Sequence, residues 1–130
     1  MIDSSVLLDI LTVDPLWFEW SSEAVAIAAD RTEIAINPLI YAEISPHFAS
    51  PEELDNAFPV MIFRREPLPF EAAFLAGKAF TKYRGRGGTR TSPLSDFYIG
   101  AHAAVSRLEL LTRDPRRFRA YFPRVKIISP

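Results

Sequence analysis

Residues 108–128, LELLTRDPRRFRAYFPRVKII, decide the fold. Leu108 to Thr112 is a short apolar run that predicts a strand. Asp114-Pro115 then places a capping residue before a proline at the first helical position, so a short helix should reach about Tyr121. Val125 to Ile128 predicts the last strand. A strand, an acidic residue just past its end, a helix and another strand form the grammar of a parallel α/β sheet.

The same grammar recurs upstream. Met1-Ile2 leaves about two residues of strand before Asp3, so either the true start lies upstream or this edge is unusually short, and Val6, Leu7, Leu8, Ile10 and Leu11 follow as a short helix. Asp14-Pro15 opens a second helix through Trp17, Trp20, Ala24, Ile27 and Ala28 that ends near Arg31. Ile34 to Ile36 is a brief buried strand, and Asn37-Pro38 starts a third helix that Pro46 stops. Ser50-Pro51-Glu52-Glu53 is a capping box for a helix to about Phe58. Residues 59–69 carry three prolines and read as an irregular link or a helix start. Phe70 to Tyr83 suits a helix with Ala72, Phe74, Leu75, Ala79 and Phe80 inward, and residues 84–90 a flexible basic loop. Ser92-Pro93 caps a helix through Asp96, Ile99, Ala103 and Val105. The stretches between strands are long enough for parallel crossovers, giving an α/β domain with both sheet faces covered.

The chain of 130 residues is a single domain by length. Its 48% hydrophobic and 24% charged residues exclude a disordered or low-complexity chain. No cysteine means no disulfide scaffold, thiolate nucleophile or cysteine-ligated metal, and two histidines make a histidine-rich metal site implausible. No apolar run approaches the ~18 residues of a membrane span, and no basic-then-apolar leader opens the chain, so a cytoplasmic protein is the expectation. The net charge of −1 hides an asymmetry. Residues 1–60 hold eleven acids and one base, for −10, whereas residues 61–130 hold fourteen bases and five acids, for +9. Such a division suits an acidic site beside a basic binding surface, or two halves that neutralise each other.

In parallel sheets the site lies outside the carboxyl ends of the strands. Asp3 follows the first strand and Asp114 lies two residues past the Leu108–Thr112 strand. Asp96 stands in the first turns of its helix, where backbone dipoles favour an anion. Glu43 shares a helical stripe with Leu39 and Ile40, an unusual place for a merely solvated carboxylate. If these four acids meet, their repulsion calls for a cation, and all-oxygen donors select magnesium or manganese over zinc. Such a site activates water and neutralises charge on a phosphodiester. No P-loop or dinucleotide fingerprint and no serine–histidine pair competes.

Ile2-Asp3-Ser4-Ser5-Val6-Leu7-Leu8-Asp9 resembles the opening of PIN domains, where a strand ends in aspartate followed by hydroxyl residues. Tyr41-Ala42-Glu43-Ile44 is similar to their helical glutamate motif, Leu94-Ser95-Asp96-Phe97-Tyr98-Ile99-Gly100-Ala101-His102-Ala103 to their second aspartate helix, and Leu111-Thr112-Arg113-Asp114-Pro115-Arg116-Arg117-Phe118 to their final acidic motif. The closest likeness is to VapC-type toxins of toxin–antitoxin pairs. The resemblance implies a PIN-like three-layer αβα domain with a short, mostly parallel central sheet. It also implies a Mg2+-dependent (or Mn2+-dependent) endoribonuclease that cuts RNA with metal-activated water and leaves a 5′-phosphate and a 3′-hydroxyl. By the same resemblance Asp3, Glu43, Asp96 and Asp114 bind metal and are catalytic, while the hydroxyls of Ser5 and Thr112 support the site. A homodimer and a cognate VapB-like antitoxin whose tail occupies the groove follow as expected partners. The departure from the pattern is Ser4-Ser5 in place of the more frequent Thr-Asn. The alternative is a catalytically silent PIN-like module that binds RNA or protein. A phosphate-signalling receiver would want a lysine after a late strand, and the only one there, Lys126, lies inside the last strand.

Arg84, Arg86 and Arg90 could steer an RNA backbone toward the metal; of the four arginines flanking Asp114, Arg113, Arg116, Arg117 and Arg119, some are expected to contact substrate and others to pair with acids of the first half, with Arg113 or Arg116 favoured over Arg119 for substrate. His102 reads as structural. Asp9, Asp14 and Glu109 read as a surface acid, a cap and a strand-edge acid. Trp17, Trp20, Phe58, Phe63 and Phe74 are expected in the core or on a dimer face, and an exposed patch near residues 15–31 and 51–63 would suit a partner.

Overall fold

The computed structural model describes residues 1–91 and 94–130. All described strand pairs are parallel. Strand β1 (Ile34–Ile36) pairs with β2 (Phe63–Arg65), Ile34 opposite Phe63 and Ile36 opposite Arg65. Strand β3 (Leu110–Leu111) pairs with β4 (Ile127–Ile128). Ile2 joins the two pairs. Its amide donates to the Ala35 carbonyl at 3.1 Å, it bridges in parallel to Leu111, and the Asp3 amide donates to the Leu111 carbonyl at 2.8 Å. The order across the sheet is therefore β2, β1, Ile2, β3, β4. The two-residue stub read as a short edge lies at the centre, bonded to a neighbour on each flank, and Asp3 leaves the middle of the sheet.

Strand β2 corrects the reading of residues 59–69 as a link or helix start. Pro59, Pro67 and Pro69 flank the strand and do not interrupt it. The Ile62 and Phe63 amides turn onto the Pro59 carbonyl at 3.0 and 2.8 Å, and Phe63 packs edge-on against Phe58 with centroids 5.0 Å apart. Three residues, two of them arginines, carry no hydrophobic periodicity. Charges on an outermost strand also discourage pairing with another chain.

The helices are α1 (Ser4–Leu11), α2 (Phe18–Arg31), α3 (Pro38–Ile44), α4 (Pro51–Ala57), α5 (Phe70–Gly85), α6 (Ser95–Val105) and α7 (Arg116–Tyr121), with a 3-10 turn at Ser45–His47. Asn37 Oδ1 caps α3 by accepting from the Leu39 and Ile40 amides at 3.0 Å each. Ser50 Oγ accepts from the Glu53 amide at 3.2 Å, and the Glu53 carboxylate reaches back to the Ala49 amide at 2.8 Å, one residue beyond a capping box. Asp14 accepts from the Leu16 and Trp17 amides, but it closes a separate turn and α2 begins only at Phe18. The Ser92-Pro93 cap lies outside the described residues.

Successive residues of a strand face opposite sides of a sheet, yet Ile34, Ala35, Ile36, Leu110 and Leu111 are all buried, so helices cover both faces. This is a three-layer αβα domain. Helix α5 faces α6 with the small stripe Ala72, Ala76 and Ala79, which lets the two lie close, and it leaves Phe74 70% exposed rather than in the core. Gly100 serves the contact between α6 and α7: a Cβ there would stand 2.3 Å from the Phe122 ring and 3.1 Å from that of Phe118.

Candidate active site

Asp3 follows directly from the centre of the sheet and is 5% exposed. Its Oδ2 accepts from Ser5 Oγ at 2.5 Å and from Thr112 Oγ1 at 2.8 Å. Thr112 Oγ1 in turn accepts from the Asp114 amide at 3.2 Å, so the hydroxyl is turned toward Asp3 by the backbone that follows β3. Burial pushes the Asp3 pKa above its ordinary 3.8, the two hydroxyls pull it down, and the negative charges of Asp96 and Glu43 raise it again; the net direction is up. Thus three carboxylates from residues 3, 43 and 96 share one electrostatic neighbourhood at the carboxyl rim of the sheet.

Glu43 sits in the last two turns of α3, between the buried Ile40 and Ile44. It accepts from Ser4 Oγ at 2.5 Å and from Ser95 Oγ. These serines come from the first turns of α1 and α6, so Glu43 ties both helix starts together. Neither serine stands out in the sequence, where each is one hydroxyl beside a better-marked acid; the available signal was the run of hydroxyls at the two helix starts.

Asp96, in the first turn of α6, is anchored by the next residue. Phe97 is fully buried, with its ring edge-on to Tyr121 at 5.2 Å and Tyr83 at 5.6 Å. The Asp96 carboxylate accepts from Arg117 of α7, whose guanidinium carbon also lies 5.9 Å from the Phe97 ring centroid. Arg117 was not singled out by the sequence, although it stands three residues past Asp114.

Asp114 stands apart. Its side chain is 54% exposed and held by Arg116, Nε on Oδ1 and Nη2 on Oδ2, each at 2.9 Å. The Arg116 guanidinium holds the Asp114 carboxyl below its ordinary value. Among the described residues, no three His, Cys, Asp or Glu side chains form a group in position to hold a metal ion. The donors suit magnesium or manganese in kind, since they are hard oxygens that repel one another around a buried carboxylate. Each is held by another partner: Glu43 by two serine hydroxyls, Asp96 by Arg117 and Asp114 by Arg116.

The remaining residues divide. Arg113, favoured for substrate contact, takes the other role expected of this group and pairs with a first-half acid, Asp9, with Nε 3.2 Å from Oδ2 in a bent ion pair, and lies over the Trp17 ring at 5.6 Å. Asp9 is only 3% exposed and also accepts from Ser21 Oγ at 2.8 Å, so it is a buried structural acid rather than a surface one. Arg84, read within a flexible loop, lies in the last turn of α5 and closes the following turn by donating to the Gly88 and Arg90 carbonyls at 3.1 and 2.8 Å. Gly87 there has φ of 87°, a conformation that glycine adopts without strain. Arg86 covers the Tyr121 ring at 5.1 Å, and Arg90 is exposed. His102 is buried, with Nδ1 3.2 Å from Asn37 Nδ2. Glu109 pairs with Lys126 between β3 and β4.

The PIN domain family model matches residues 1–123, and the chain belongs to that family. No curated protein matches the chain. Among solved structures, VapBC2 from Rickettsia felis bound to a DNA fragment from its promoter is similar over 100% of this chain and 97% of its own, at 16% identity and a TM-score of 0.72. DNA-bound VapBC from Salmonella typhimurium is similar over 99% and 96%, at 17% identity and 0.68. FitAcB from Neisseria gonorrhoeae is similar over 98% and 94%, at 17% identity and 0.67. At these identities the likeness is one of fold. Among the described residues no helix is long and apolar enough to cross a membrane.

Proposed function

We propose that this chain is a divalent-metal-dependent endoribonuclease and the toxin of a type II toxin–antitoxin pair. The observation that supports the reading is a set of hydroxyls linking the three acidic segments: the adjacent Ser4 and Ser5 donate to Glu43 and Asp3, and Ser95, next to Asp96, donates to Glu43 as well. Asp3 and Asp96 would hold the Mg2+ or Mn2+ ion directly, with Glu43 and Asp114 completing the acidic rim. The ion supplies activation of water and charge neutralisation at the phosphodiester. Ser5 and Thr112 fix the Asp3 carboxylate, and Ser4 and Ser95 fix Glu43. Attack of water on phosphorus in line with the 3′-oxygen, with the P–O3′ bond breaking and that oxygen leaving as a hydroxyl, would give a 5′-phosphate and a 3′-hydroxyl.

Arg86, Arg90 and Arg116 are exposed cations suited to the RNA backbone, whereas Arg84 and Arg113 serve the fold first. The VapBC complexes of similar fold support a VapB-like antitoxin as partner. A homodimer is the expected assembly, and the exposed apolar side chains of Leu16, Ile27, Val60 and Met61 lie in the two segments expected to meet partners. A cytoplasmic location fits RNA as substrate. The arginines on Asp96 and Asp114 favour a second reading, a silent module that binds RNA through the same basic rim.

Purified protein incubated with total cellular RNA and Mg2+, beside a chelator arm and Asp96→Asn, separates them. Discrete fragments that need both the metal and Asp96 support the nuclease. RNA binding without cleavage, surviving chelation, supports the silent module.

A further inference from the structure

Arg117 occupies a place that the proposed function assigns to something else. Its guanidinium is on Asp96, one of the two carboxylates that would hold the ion, and it stands on α7 three residues past Asp114. The side chain is 40% exposed, so it can leave without unpacking the core, and its departure exposes no buried charge because Asp96 is itself about one-third exposed. The Phe97 ring beneath it offers a face to the guanidinium that does not depend on Asp96. By contrast Arg113 is bound to a buried acid and cannot exchange partners cheaply.

We propose, on the basis of that reading, that Arg117 is a two-position residue. Without metal it neutralises Asp96; a divalent ion displaces it, and the freed guanidinium, at the rim between Asp96 and Asp114, donates to a phosphate oxygen of the RNA. A guanidinium and a metal ion are both cations competing for one carboxylate, so removing the first must strengthen binding of the second. A planar fork with several donors is also the group best matched to phosphate. Arg117 therefore opposes metal loading in the free protein and helps hold substrate once metal is present.

The test is calorimetric titration of the metal-free protein with Mn2+, comparing wild type, Arg117→Ala, Arg117→Lys and Asp96→Asn, each first verified as folded by circular dichroism. Arg117→Ala should bind Mn2+ at least about threefold more tightly, with Arg117→Lys between it and wild type. At saturating Mn2+, Arg117→Ala should raise KM for a single-stranded RNA about tenfold, the scale of one lost charge-assisted hydrogen bond. Unchanged or weaker Mn2+ binding in Arg117→Ala, with normal binding by wild type and loss in Asp96→Asn, overturns the inference and leaves the nuclease reading standing. Equal Mn2+ binding by wild type and Asp96→Asn overturns both.

Discussion

The candidate site has two walls built on opposite principles. One wall, Asp3 and Glu43, is held by neutral hydroxyls: Ser5 and Thr112 on Asp3, Ser4 and Ser95 on Glu43. The other, Asp96 and Asp114, faces α7 and is held by arginines. Hydroxyls orient a carboxylate without adding a counter-charge, so burial and the neighbouring acids still raise the Asp3 pKa although Ser5 and Thr112 pull it down. Guanidiniums cancel charge, so the second wall is quiet until they move. The difference teaches that one acidic rim can be half oriented by hydroxyls and half masked by arginines within one 130-residue fold.

The comparison can be broken most sharply at the hydroxyl wall. Asp3→Asn should abolish cleavage while raising the melting temperature, because a buried carboxylate with two acidic neighbours destabilises the fold at neutral pH. The raised pKa means that the unfolded chain releases this proton first as pH rises past 3.8, so ionised Asp3 weakens the native state above that pH. A lower melting temperature in Asp3→Asn would show that the hydroxyl pair outweighs the burial. Next in size, Arg113→Ala leaves Asp9 buried without its counter-charge and should lose about 1–3 kcal/mol in denaturant unfolding, a figure reduced for the arginine's partial exposure.

Thr112→Val removes one donor to Asp3 and should lower stability by about 1–2 kcal/mol, with a larger loss of activity than of stability. Urea titration and RNA cleavage on the same samples would measure both. Smaller still, His102 is buried and burial lowers its pKa below 6.5. The unfolded chain therefore takes up that proton first, and stability should fall as pH drops below about 6.5, an effect absent in His102→Gln. Smallest is Arg116→Ala: its pair with Asp114 is largely solvent-exposed, and the urea unfolding midpoint should stay where it is in the wild type.

Much of this was legible in the sequence where a residue's own chemistry marks its place. Asn37-Pro38 announced α3, Asp3 stood at a strand end, and four acidic motifs in order carried the family. What escaped depends on tertiary partners. Strand β2 is three residues long, and only pairing with β1 makes it a strand. The Met1-Ile2 stub reads as an edge because local sequence does not say how many neighbours a strand has. Asp9 and Arg113 are 104 positions apart, and which first-half acid an arginine near Asp114 meets is set only when the fold brings this pair to 3.2 Å. Arg117 looks like one of four similar arginines after β3, and only the position of α6 against α7 selects it for Asp96.

The most direct test of the two-wall site is a crystal of the protein soaked in Mn2+, with anomalous scattering recorded. The account predicts one peak bound by Asp3 and Asp96, with Arg117 turned away from Asp96 and Ser5 and Thr112 still on Asp3. A peak elsewhere, or none at a concentration that saturates cleavage, would contradict it.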